Sequence, residues 1–166
     1  MTAMNIVCFG FGQVAKNFIN KLNNNGITFK LTTTSRKESK NKEFENIKYE
    51  SLQLAEKSFD ENLLPRLQEA DHILLSIAPT NGVDVVLRNF KNYFKSNKLK
   101  WITYLSATSV YGDHQGKWVD ENSETKPTST NGIERLKIEK EWLELSNKFD
   151  LPFQIFRLSG IYSNQY

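Results

Sequence analysis

Ile6-Val-Cys-Phe9 is an unbroken apolar run that leads straight into Gly10-Phe-Gly12-Gln-Val-Ala15. Behind it Val14, Phe18, Ile19 and Leu22 recur at helical spacing, until Asn23-Asn-Asn-Gly26 ends the stripe with residues that tolerate left-handed backbone. Strand, glycine turn and helix in that order are the setting in which G-x-G-x-x-G/A holds a dinucleotide. Gly10 permits the tight turn, Gly12 lets the backbone approach a pyrophosphate, and the small Ala15 lets helix and strand pack closely. Main-chain N–H groups where the helix opens, at Gln13, Val14 and Ala15, then face the phosphates with the helix dipole behind them. The plainer alternative is a sharp strand-to-helix turn with no ligand.

Outward from that motif, strand-like and helix-period segments alternate along the whole chain. Residues 29–34, 47–49, 73–77, 101–105 and 153–158 read as further strands. Those at 73–77 and 101–105 are nearly continuous in apolar character, as suits the middle of a parallel sheet covered on both faces. Those at 47–49 and 153–158, the third and last when the run at 6–9 is counted first, are more polar, as suits its edges. Six strands so arranged match the doubly wound order 3-2-1-4-5-6, a Rossmann-type α/β fold with helices on both faces. Between them lie a helix carrying Leu63, Leu64 and Leu67 with Asp60 as its cap, and one over residues 83–95 with Val83, Val86, Leu87, Phe90 and Phe94 as its stripe. A long helix runs from near Thr130 to about Lys148, stopped by Asp150-Leu-Pro152. Residues 112–130 are polar and rich in turn formers. They read as a long loop, a length at which loops are often functional.

Composition sets the outer limits. At 166 residues the chain supports one domain of the usual size of roughly 150 residues. The net charge of +3 is too small to demand an anionic partner, and of the two basic runs, at Arg36, Lys37, Lys40 and Lys42 and at Arg88 to Lys100, the second reads as a solvated helix face. No zinc-ligand set, RNA-binding signature or basic helix-turn-helix pattern is present, so neither nucleic acid nor metal is expected. Cys8, the single cysteine, fits a reducing cytoplasm, and no apolar run approaches the roughly 20 residues that span a membrane.

Cofactor type turns on the residues just past the second strand. An acidic residue there would bond the ribose 2′-hydroxyl of NAD, whereas arginine accommodates the 2′-phosphate of NADP. The strand ends in Thr34-Ser35-Arg36-Lys37, and the first carboxylate, Glu38, comes late. Ser35 and Arg36 therefore favour NADP over NAD. Ile77-Ala78-Pro79 after the fourth strand and Ser106 after the fifth complete the residues expected beside the cofactor.

Leu105-Ser-Ala-Thr-Ser-Val110-Tyr-Gly-Asp113, then Trp118-Val-Asp-Glu121 and Pro127-Thr-Ser129, resemble the extended short-chain dehydrogenase/reductases, the NAD(P)-dependent epimerase/dehydratase family. Leu158-Ser-Gly160-Ile-Tyr162 is similar to the segment after that family's sixth strand. The resemblance implies a nucleotide-sugar substrate and chemistry by a Ser or Thr, a Tyr and a Lys. It also implies a dimer formed through the helices near 83–95 and 133–149. Those three catalytic positions fall here on Ala107, Asn131 and Arg135. Neither an amide nor a guanidinium exchanges protons near neutrality. Thr108 and His114 are the substitutes the sequence offers. The family's C-terminal substrate-binding portion is largely absent by Tyr166, and its usual Gly-Pro after the Ile-Tyr pair is missing. The residues leave two functions open: an atypical NADP-dependent oxidoreductase or epimerase, and a non-catalytic dinucleotide-binding or regulatory module.

Overall fold

The computed structural model describes residues 3–95 and 98–162; the chain end at 163–166 lies outside them. The elements run β1 (Met4–Phe9), α1 (Gln13–Asn24), β2 (Phe29–Ser35), β3 (Lys40–Phe44), β4 (Ile47–Gln53), α2 (Leu63–Glu69), β5 (His72–Leu75) and α3 (Val85–Phe90). They continue with β6 (Trp101–Ala107), a 3-10 turn (Thr108–Val110), α4 (Thr130–Phe149) and β7 (Phe153–Leu158). One sheet holds all the strands in the order β3-β4-β2-β1-β5-β6-β7. Six of them are parallel neighbours, and those six follow the expected doubly wound order.

The seventh strand is a correction. Residues 40–44 carry part of what reads as a basic loop, yet they pair antiparallel with β4, Phe44 opposite Ile47. The connection is a two-residue turn in which Glu45 and Asn46 both have positive φ, 49° and 63°. That backbone twist matches the twist of a hairpin. Lysines at 40 and 42 guard the outer edge against further pairing. β4 is thus an internal strand, and its polarity comes from a shallow position rather than from the sheet edge.

Two apolar layers sandwich the sheet. Val7, Phe9, Ile73, Leu75, Ile102 and Tyr104 face α2, α3 and α4, which contribute Leu63, Leu67, Phe90, Ile138 and Trp142. On the other face Ile6, Cys8, Leu31 and Leu74 meet Ala15 and Ile19 of α1. Coverage of that second face stops short of β7, where Phe156 is 46% exposed. Burial pushes the Cys8 thiol up to about 12, which leaves it an inert core group.

Helix ends show where side chains outrank periodicity. Asp84 caps α3, accepting from Val86 and Leu87 N–H at 2.7 and 3.1 Å. This helix is shorter than residues 83–95, ending at Phe90 in a turn. Asp60 is not the cap of α2. Asn62 holds that position, and Asp60 accepts the Asn62 N–H from two residues ahead while its carbonyl opens the turn leading in. α4 begins at Thr130 as expected, capped by Ser129, and it ends in a left-handed Asp150. Among the described residues no helix is long and apolar enough to cross a membrane.

Candidate functional site

Every parallel strand points its carboxyl end toward the same rim, and the glycine turn lies in the middle of that rim. In doubly wound sheets ligands bind there, where the strand order reverses. Gly10 has φ +83°, and a Cβ on it would stand 2.9 Å from Ser76 Oγ and 3.1 Å from Ile77 Cγ1. Its N–H donates to Thr34 Oγ1 at 2.9 Å, tying the turn to the end of β2. Gly12 differs. Its φ of −81° suits any residue, and a Cβ there would meet nothing within 4 Å. The space over Gly12 is open, and α1 starts at that point with no side-chain cap and no acidic residue in its first turn. Helix N–H groups left without partners beside open space fit a phosphate.

Two cavities meet over this turn, both lined by Gly12 and Ser76. One, of about 520 Å³, runs toward Thr34, Ser35, Arg36, Leu54 and Arg88. The other, of about 490 Å³, runs toward Ala107, Arg135, Leu158 and Tyr162. A two-part ligand bridged by a diphosphate has one compartment for each half. The residues present fit a nicotinamide dinucleotide: Gly10 and Gly12 lie where the two cavities meet, and Arg36 lines the first of them. A larger cavity of about 800 Å³ lies at the opposite end of β1, β2 and β4. Its walls mix cations with carboxylates, and Arg66 there is committed to Glu50 at 2.8 Å, so charge gives it no single ligand preference.

The expected site residues separate cleanly by location. Gln13, Val14, Ala15 and Ser106 line the second cavity; Ser35, Arg36, Ile77 and Ala78 line the first. Pro79 is not among the lining residues, although its neighbours Ala78 and Thr80 are. Ser35 Oγ donates to Lys37 O and accepts from Ser51 Oγ, both at 3.4 Å. Thr108 sits exposed on the 3-10 turn. His114 lies in the next loop with Nε2 3.1 Å from Glu124 O, and neither it nor Thr108 lines either of these two cavities.

At the corner between β6 and α4, Ala107, Asn131 and Arg135 come together. Arg135 donates through Nε to Asn131 Oδ1 at 3.0 Å and through Nη1 to Leu105 O at 3.1 Å. One turn further along α4, Glu139 is 1% exposed and receives Arg157 from β7, Nη2 to Oε2 at 2.8 Å. Arg157 also lies over the Tyr111 ring, 4.9 Å from its centroid, and its pKa is raised chiefly by the bonds to Glu139. Asp84 joins α3 to α4 by accepting from Trp142 Nε1 at 3.0 Å, and burial pushes its carboxyl up. Sequence reading missed Glu139, Arg157 and Asp84. The signal was a carboxylate at 139 within the buried face of α4, four residues beyond Arg135 and three before Trp142.

No family model matches the chain, and neither does any curated protein. Solved structures do. A conserved protein of unknown function from Silicibacter pomeroyi aligns over 97% of this chain and 54% of its own, with 30% identity and a TM-score of 0.76. The UDP-glucuronic acid 4-epimerase of Bacillus cereus, solved with NAD, aligns over 96% and 57%, with 20% identity and a TM-score of 0.77. The UDP-N-acetylglucosamine 4-epimerase of Methanobrevibacter ruminantium gives 95% and 55%, 19% identity and 0.73. The chain spans a little over half the length of each of these proteins. The resemblance carried by residues 105–129 holds in three dimensions: this chain has the Rossmann-type fold of the NAD-dependent UDP-sugar epimerases and dehydratases.

Proposed function

We propose that this chain is a dinucleotide-binding domain that prefers NADP to NAD and presents the nicotinamide to a substrate of the nucleotide-sugar type. One observation carries the reading. The open space over Gly12 joins two cavities, and the uncapped start of α1 faces it. The preference for NADP rests on Arg36, which lines the adenosine-end cavity and has no carboxylate partner among the described residues. The substrate class rests on the epimerases that share the fold.

Calorimetric titration with the four nicotinamide dinucleotides is the test. NADP(H) should bind about tenfold or more tightly than NAD(H), the value of one charge-assisted contact. Arg36→Ala should remove most of that gap while leaving NAD(H) affinity nearly unchanged. Binding of none of the four ends the proposal.

A second reading, a regulatory module that holds the dinucleotide without reacting it, is favoured by the β6–α4 corner. Ala107, Asn131 and Arg135 supply no proton donor or acceptor near pH 7 where the family resemblance implies a Ser or Thr, a Tyr and a Lys. A positioned acid–base group contributes about 10²–10⁴-fold, so its loss comes close to silencing the usual cycle. NADPH oxidation across a panel of oxidised sugar nucleotides separates the two readings: turnover supports the enzyme, and tight binding with no turnover supports the module.

A further inference from the structure

We propose that Phe11 is the positioning residue of the glycine turn: its ring, seated on Tyr49 and Phe44 of the β3–β4 hairpin, aims the Gly12, Gln13 and Val14 amides, so that the hairpin sets how tightly an anionic ligand is held there. The proposal rests on the dinucleotide reading above for the identity of that ligand. Parallel neighbours such as β2 and β4 are usually joined by a helix. Here the link is residues 36–46, which hold β3 and no helix. Tyr49, on the α1 side of β4, is met instead by a side chain from the glycine turn. The Phe11 ring centroid lies 5.0 Å from that of Tyr49, tilted at 54°, and 5.8 Å from that of Phe44, edge to face at 89°. Lys16, in the first turn of α1, places Nζ 5.4 Å from the Phe44 centroid. Two successive parts of the cradle, the turn and the start of the helix, therefore bear on one hairpin.

The place of Phe11 in the motif gives this contact its consequence. It stands between Gly10 and Gly12, and glycine restricts its own backbone least. Hydrogen bonds hold the turn at its two ends: Gly10 N–H donates to Thr34 Oγ1 at 2.9 Å, and Gly12 O accepts from the Lys16 N–H at 2.9 Å. Between those ends Phe11 supplies the one side chain, and it is half-buried. The amides that follow it, at Gly12, Gln13 and Val14, are the ones that open α1. Amides already aimed lose less freedom when a phosphate arrives, which strengthens binding without a new contact. An aromatic pair is worth about two- to tenfold in an equilibrium beyond the area it buries. Phe11, Phe44 and Tyr49 line neither of the two cavities that meet over Gly12. Their influence on a ligand there must pass through the backbone of the turn.

The test reads binding and backbone separately. NADPH is titrated by calorimetry into the parent and the variants, with the folded fraction of each fixed by thermal unfolding. Phe11→Ala should weaken binding by about tenfold or more, and Tyr49→Leu, which alters only the seat of the ring, by about two- to tenfold. Phe11→Tyr keeps the ring and should stay within about twofold of the parent. In NMR spectra of the free, nitrogen-15-labelled protein, the Gly12, Gln13 and Val14 amides should shift in Phe11→Ala and in Tyr49→Leu, while those of Thr103 and Tyr104 stay in place. Phe11→Leu retains most of the apolar volume and should give the same shifts if the alanine variant does not fold. The proposal is overturned if the three amides keep their parent positions in Tyr49→Leu, or if the variants lose affinity only as far as they lose folded protein. It is also overturned if Phe11→Ala weakens NADPH while Tyr49→Leu leaves it unchanged, because the ring then acts on the ligand directly. A parent that binds no dinucleotide counts against the dinucleotide reading alone, and the amide shifts of the free protein then decide the role of Phe11.

Discussion

At the cradle, function is built from backbone within one short stretch: Gly10 turns the chain, Gly12 leaves room, and α1 offers its first amides. At the β6–α4 corner it is built from side chains supplied by separate elements. Arg135 and Glu139 come from α4, Leu105 from β6, Arg157 from β7 and Tyr111 from the loop between. A backbone site depends on conformation, so few residue types satisfy it and those few are informative. A side-chain site depends on which residues tertiary folding brings together, so the same chemistry can move to new positions. The first kind ties its pattern to fixed spacing, whereas the second is tied to no particular spacing along the chain.

The largest effect separating the two regions should come from Arg157→Ala. Glu139 would stay 1% exposed with its cation gone. Breaking a buried pair from one side costs about 3–5 kcal/mol, more than the pair itself contributes. Urea unfolding should show that loss, and the double variant Arg157→Leu, Glu139→Leu should recover much of it. Dinucleotide binding by the folded fraction should be little changed, because neither residue lines the cradle. A loss below about 1 kcal/mol would mean that water replaces the guanidinium, and the corner would then be looser than its geometry indicates.

That contrast also explains what the sequence disclosed. The six parallel strands were legible because continuous apolar runs such as Ile73–Leu75 require cover on both faces. The glycine motif was legible because its spacing is set by backbone geometry. β3 was not, because Lys-Asn-Lys-Glu-Phe has the composition of a loop and becomes a strand only through the positive-φ turn at Glu45 and Asn46. The start of α2 turned on whether Asp60 or Asn62 holds the N-cap position, a choice between similar residues, and α3 gives way to a turn after Phe90 although its apolar spacing runs on to Phe94. Trp142 lies on the apolar face of α4 and stacks on Phe153 at 5.6 Å. Its bond to Asp84 spans 58 residues, and no local pattern foretells it.

Gly10→Ala tests the cradle with a smaller change in stability and a larger one in binding. Holding φ near +83° costs a non-glycine residue about 1–2 kcal/mol, and Ser76 or Ile77 must also shift to admit the methyl. The substitution displaces the amide that Thr34 holds and the wall shared by both cavities. NADPH affinity should fall by about tenfold or more, while the Glu139–Arg157 corner stays intact. Calorimetry alongside thermal unfolding reads both. If binding survives while stability drops, the glycine is there for the turn alone.

The smallest effect concerns two carboxylates buried against the same helix. Glu139 has a guanidinium, whereas Asp84 has only neutral donors: two main-chain amides and the Trp142 indole. Desolvation therefore outweighs the hydrogen bonds at Asp84 and raises its pKa. The sign of the consequence is fixed by proton binding. Between the ordinary aspartate value and the raised one, the native state holds more protons than the unfolded chain, so stability declines as pH rises through that window. Asp84→Asn removes the titration and should flatten the decline. It should also cost about 1 kcal/mol at low pH, since one amide group cannot accept from both the helix and the indole. Unfolding curves from pH 3.5 upward measure both changes. An unchanged slope would mean that the three hydrogen bonds to the Asp84 carboxylate offset its burial, as the bond to Arg66 more than offsets it at Glu50.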